Sequence, residues 1–95
     1  MADVTVTNQE AEHRFEAQVD GHTGYLLYKR SGDEIFLIHT EVPQELEGKG
    51  IGSALARHAM EFARAEQLKV VPRCPFVAQY LKRHPEYSDL VVSRA

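Results

Sequence analysis

Three groups of residues in this chain have types and spacings suited to chemistry. The first is His39-Thr40-Glu41. Alternation along a strand puts His39 and Glu41 on one face, about 7 Å apart, and histidine titrates near neutral pH when unperturbed. That pair suits proton transfer; the competing reading is a core histidine bonded to backbone beside an ordinary exposed carboxylate. The second is Cys74, which follows Arg73 and precedes a helix start at Pro75 or Phe76. A neighbouring cation and a helix N-terminus both favour the thiolate, the nucleophilic form of the side chain. Free cysteine also serves as a small buried hydrophobe. The third is the turn that sets Gly48, Gly50 and Gly52 directly before an amphipathic segment. Glycine permits positive φ and close approach of the backbone. A helix opening there offers uncommitted N–H groups and the positive end of its dipole to an anion. Its competing reading is a flexible loop with a glycine near a helix cap.

These groups need elements to hold them. His13 to Val19 alternates with Phe15, Ala17 and Val19 on one face, and Asp20 to Gly24 reads as a turn. A second strand runs from Gly24 to Lys29, and Ser31-Gly32-Asp33 turns the chain into a third from Glu34 to Val42. The third strand is apolar on both faces over Ile35-Phe36-Leu37-Ile38, which predicts helical cover on each side. Pro43 cannot donate to a ladder and ends it. From Ile51 the apolar positions follow one helical face, with Ala54, Leu55, Ala59, Phe62 and Ala63, so a helix is expected from Ile51 to about Glu66. A short strand over Leu68 to Val71, a second helix over Phe76 to Arg83 and a last strand over Asp89 to Val92 complete the reading. Phe76, Val77, Tyr80 and Leu81 form the apolar side of that second helix. The pattern is α+β, an antiparallel meander followed by one parallel crossover.

The composition narrows the function. Ninety-five residues suit one domain, residues 1–95, whose folding buries about 60 to 65% of the extended chain's surface. A net charge of −3 argues against a nucleic-acid binder, which needs a basic face. The single cysteine forms no internal disulfide and fits the reducing cytoplasm. No leader pattern and no apolar run of the ~18 residues of a membrane span is present. Five histidines without close pairs give no metal-ligand spacing, so no metal is expected. The turn matches neither a Walker loop, which needs Gly-x-x-x-x-Gly-Lys-Ser/Thr, nor a dinucleotide-binding fingerprint, whose third glycine is replaced by Ser53.

The order of central strand, Gly-x-Gly turn, helix, strand and short C-terminal helix resembles the GNAT-type acyl-CoA N-acetyltransferases. Their signature, Gln/Arg-x-x-Gly-x-Gly/Ala, aligns with Glu47-Gly48-Lys49-Gly50-Ile51-Gly52. His39-Thr40-Glu41-Val42-Pro43, that turn, and Lys69-Val70-Val71-Pro72-Arg73-Cys74-Pro75-Phe76-Val77 with Tyr80 resemble more narrowly the small stand-alone GNAT-like subfamily. The resemblance spans roughly Tyr25 to Tyr87. It implies a reduced GNAT-like fold with acetyl-CoA as co-substrate, and an unidentified amine acceptor, small molecule or protein. No nucleic-acid or membrane partner is expected, and the chain is expected to be a monomer or weak dimer.

The resemblance also implies site roles. Main-chain groups of Thr40, Glu41 and Val42 would pair with the pantetheine arm as an added strand does. Amides from Gly48 through Lys49, Gly50, Ile51 and Gly52 to Ser53 would cradle the pyrophosphate. Lys49 and Arg57 would add charge there or stay solvated. A direct transfer needs a base, His39 or Glu41, near the thioester. A transfer through Cys74 gives an acyl-cysteine intermediate and ping-pong kinetics. In the wider family a tyrosine on the C-terminal helix protonates the departing thiolate, and Tyr80 is the nearest match, with aromatic packing as its alternative. Two departures matter. Glu47 stands where the family has Gln or Arg, so the turn must hold an anion by its amides with that carboxylate pointing away. The chain before the central strand is also too short for the two helices that usually cover the acceptor side, which leaves a non-catalytic acyl-CoA-binding module as the alternative to an enzyme.

Overall fold

The computed structural model describes residues 4–92. Five strands form one mixed sheet in the order β1-β2-β3-β4-β5, with β1 Val6–Gln9, β2 Arg14–Val19, β3 His22–Ser31, β4 Glu34–Glu41 and β5 Lys69–Pro72. The first four are antiparallel neighbours, and β5 joins β4 in parallel. That parallel step requires a crossover, supplied by helix α1, Ile51–Ala65. Helix α2, Pro75–Arg83, follows β5 and leads into a 3-10 segment, Pro85–Leu90. Val6–Gln9 lies upstream of the first expected strand; the Val4/Val6 alternation is its signal.

The β2–β3 hairpin closes in two residues, Asp20 at φ 51° and Gly21 at φ 79°. Positive φ at both positions matches the twist of the flanking strands. The turn is therefore tighter than Asp20 to Gly24, and β3 starts at His22. Between β3 and β4 the register slips, Leu27 facing His39 but Tyr28 facing Leu37, so Ile38 is the extra residue of a bulge.

The core lies on one side of the sheet. Phe15, Ala17, Leu26, Tyr28, Ile35, Leu37 and Val70 meet Ile51, Leu55, Ala56, Ala59, Met60 and Ala63 of α1. Val77 and Tyr80 of α2, with Tyr87 and Leu90 beyond it, extend the same cluster. Helical cover on both faces, expected from Ile35-Phe36-Leu37-Ile38, is not what forms. Ile35 and Leu37 are enclosed, Phe36 is half-buried and Ile38 is 45% exposed. The bulge turns Ile38 outward, and the Arg73 guanidinium lies 5.5 Å from the Phe36 ring centre in place of a helix.

The expected last strand over Asp89 to Val92 is also corrected. Asp89 and Leu90 belong to the 3-10 segment, and only an isolated parallel bridge, Val70 to Val91, touches the sheet. Burial of Tyr87 and Leu90 against α1, with Tyr87 Oη donating to Glu61 Oε2 at 2.6 Å, holds this segment off the sheet edge.

Candidate functional site

The sheet opens where β4 outlasts β5. Their parallel pairing ends at Leu37 and Pro72, and the amides of Arg73 and Cys74 both donate to the Leu37 carbonyl at 2.9 Å. Beyond that point β4 continues alone through His39, Thr40 and Glu41 on the β5 side, while the other chain turns into α2. A groove of about 460 Å³ occupies this region, lined among others by Thr40, Val42, Leu46, Gly50, Ser53 and Phe76.

One end of the groove is the start of α1. Gly50 is its N-cap at φ 75°, and no side chain caps the helix. The Gly50 carbonyl accepts from Ala54 at 3.0 Å, leaving the amides of Ile51, Gly52 and Ser53 before the first intrahelical bond. No acidic side chain stands in the first turn. Gly48, at φ 83°, makes the preceding bend, so the turn uses left-handed backbone at the first two of its three glycines. Gly52 is helical and has a different constraint. A Cβ there would lie 2.6 Å from Cζ of Phe76.

Thr40 also lines the groove, and Cys74 lies behind it, buried and not among the lining residues. Thr40 Oγ1 lies 3.3 Å from Cys74 Sγ. Cys74 is the N-cap residue of α2 and is only 3% exposed. Burial pushes its pKa up, but the Thr40 hydroxyl and the Val77 and Phe76 amides pull it down, and the pull prevails. No formal cap bond closes at this helix start; the amides act on the sulfur electrostatically.

His39 and Glu41 form a second pair, His39 Nε2 to Glu41 Oε1 at 3.0 Å, both more than half exposed. They lie on the open sheet face, opposite Leu27 and Tyr25 on β3, whereas Thr40 pairs with the buried Leu26. The Tyr25 ring stands 6.5 Å from that of His39. Consecutive residues of β4 thus present the His39–Glu41 pair on one face and the partner of the thiol on the other.

The remaining candidates sit elsewhere. Lys49 Nζ reaches Asp20 Oδ2 at 3.2 Å, across to the β2–β3 turn. Tyr80 does not line the groove. With Arg57, Glu61 and His84 it lines a second cleft, its ring stacked on His84 at 4.0 Å, and burial raises its pKa first, Glu86 adding to the rise. Arg57, a candidate for the phosphates, stands in that same cleft. Glu47 lines the groove, with its side chain exposed. Two groove residues escape the sequence reading. Leu46, in the 3-10 turn Gln44–Leu46, is buried beneath the loop. Phe76 counted as part of the apolar face of α2, yet it is 42% exposed; Pro75 at the helix start, which puts Phe76 in an open first turn, was the available signal. Among the described residues, no group of three or more His, Cys, Asp or Glu is placed to hold a metal ion.

Central strand, glycine turn, helix, strand and short C-terminal helix follow in the order that carried the resemblance, and comparison with known proteins decides the family. A family profile described as GCN5-related N-acetyl-transferase matches residues 14–90. The chain belongs to that family. Its relatives include Protein NATD1 of Xenopus tropicalis and of Homo sapiens, each 33% identical over 85 residues, covering 86% of this chain and 78% and 75% of theirs. Protein NATD1 of Danio rerio is 30% identical over 92 residues, covering 92% of this chain and 84% of its own. The NMR solution structure of a GCN5-like protein from Staphylococcus aureus superimposes with a TM-score of 0.74 at 26% identity, over 100% of this chain and 94% of that one. This member is thus a small GNAT-like acyltransferase fold built on a five-stranded mixed sheet. No helix among the described residues is long and apolar enough to cross a membrane.

Proposed function

We propose that the protein binds acetyl-CoA in the groove and transfers the acetyl group to an amine, in a cytoplasmic setting where its one thiol stays reduced. The observation that carries this reading is the groove itself, lined by an uncapped helix N-terminus and by Thr40, whose hydroxyl lies against the buried Cys74 sulfur. Amides of Ile51, Gly52 and Ser53 hold the pyrophosphate, and the exposed main chain of Thr40 to Val42 pairs with the pantetheine arm. The co-substrate supplies an activated acyl thioester. Cys74 Sγ, as thiolate, forms a bond to the carbonyl carbon while the bond from that carbon to the CoA sulfur breaks, and the CoA sulfur leaves with the electron pair and takes up a proton. An amine entering the gap between the two strands then attacks the acyl-cysteine, giving its proton through water to the His39–Glu41 pair on the other face of β4, and Cys74 leaves as thiolate.

Incubation with acetyl-CoA followed by intact-mass spectrometry tests the route. An added acetyl group that is absent from Cys74→Ala supports it, and no adduct in a protein that demonstrably binds the co-substrate rules it out. A second reading, a non-catalytic acyl-CoA-binding or sensing module, draws on the open sheet face, where Ile38 is 45% exposed. CoA release on adding amines separates the two.

A further inference from the structure

Phe76 is a large hydrophobic residue left 42% exposed, and its ring edge lies against the first turn of α1. A Cβ at Gly52 would sit 2.6 Å from Cζ, 3.0 Å from Cε2 and 3.2 Å from Cε1. The whole distal edge of the ring therefore occupies the space a side chain at position 52 would take. Gly52 has ordinary helical backbone, since positive φ occurs at Gly48 and Gly50 but not here. Conformation does not demand glycine at this position; a side chain here would instead require the Phe76 ring to move from its seat. The same ring lines the groove together with Thr40 and Val42 of the β4 end, two residues beyond Cys74.

We infer that Phe76 is a binding residue for the pantetheine arm, and that Gly52 is glycine in order to seat its ring. The inference rests on the reading of the groove as an acetyl-CoA site and assigns the wall that reading lacks. β4 offers backbone hydrogen bonds along one side of the arm, and the aromatic face closes the other side, excluding water from the thioester end. The phosphate end depends on amides and not on the ring, so the two ends of the co-substrate respond differently to its removal.

The test compares acetyl-CoA with 3′,5′-ADP, which carries the 3′-phosphate and the first of the two 5′-phosphates without the arm, by titration calorimetry on the wild type, Phe76→Ala, Phe76→Leu and Gly52→Ala. Phe76→Ala weakens acetyl-CoA about tenfold, corresponding to about 1.4 kcal/mol, leaves 3′,5′-ADP within about twofold, and Phe76→Leu restores part of the loss. Thermal unfolding provides a readout independent of any ligand. Gly52→Ala lowers Tm in the wild type, where Cβ and ring collide, and raises it in the Phe76→Ala background, where alanine is simply the better helix former. Equal weakening of both ligands, unchanged acetyl-CoA affinity in Phe76→Ala, or a Gly52→Ala effect of the same sign in both backgrounds overturns the inference. A wild type that binds neither compound overturns the cofactor reading and the arm assignment with it, while the unfolding comparison still decides why position 52 is glycine.

Discussion

The Thr40 hydroxyl and the Cys74 sulfur lie 3.3 Å apart, across the gap where β4 and β5 cease to pair. Thr40 is on the last stretch of β4 and Cys74 opens α2, so the contact exists only because the two strands end at different points. With Thr40 Oγ1 donating, the thiolate is stabilised against the cost of burial. Thr40→Val removes the donor and keeps the shape. The pH midpoint of Cys74 alkylation then moves upward relative to the wild type; an unmoved midpoint means that the hydroxyl does not tune the thiol.

Gly50 tests the turn. At φ 75° it holds the N-cap position of α1 in left-handed backbone, which costs a residue with Cβ about 1–2 kcal/mol. Gly50→Ala should lower Tm by several degrees and weaken acetyl-CoA binding, because the amides behind it are displaced. Unchanged stability would mean that the turn relaxes without consequence.

Much of this was legible in the sequence, and the parts that were not share a cause. The glycine turn, the α1 face from Ile51 to Ala63 and the crossover to β5 follow from local spacing, which a single stretch of chain contains. The His39–Glu41 alternation was legible, but the Thr40–Cys74 contact was not, because it joins residues far apart in sequence and depends on β4 register after the Ile38 bulge. The open side of the sheet was misread at Ile35 to Ile38 because apolar character does not say whether a helix is available to cover it. The contact of Phe76 with Gly52 joins residues on different helices, and no periodicity encodes it.

Tyr87 anchors the C-terminal segment to α1. Its hydroxyl donates to Glu61 at 2.6 Å, and that bond, then burial, pushes its pKa up to about 12 from 10.0. The raised value means that this stabilisation is complete below pH 10.0 and is lost as pH rises toward about 12. Tyr87→Phe costs about 1 kcal/mol at neutral pH and shows a smaller alkaline loss over that window in denaturant titrations. An alkaline profile identical to the wild type would remove Tyr87 from the account.

His58 sets the acid side. Half-buried on α1, with its ring centre 5.4 Å from that of Phe15, it has a pKa lowered by burial below the ordinary 6.5. A lowered folded value makes its contribution complete above pH 6.5 and lost as pH falls through the folded pKa. His58→Leu should therefore flatten the decline of Tm below pH 6.5, whereas an equally steep decline would assign acid sensitivity to other groups.

The most direct measurement is titration of isotopically labelled protein with acetyl-CoA, followed through its backbone amide resonances. Binding in the groove predicts the largest shifts at residues 48–53 and 40–42, the turn and strand end that line it. Millimolar acetyl-CoA that leaves those amides unmoved, or that moves amides of the second cleft around Arg57 and Tyr80 instead, would contradict it.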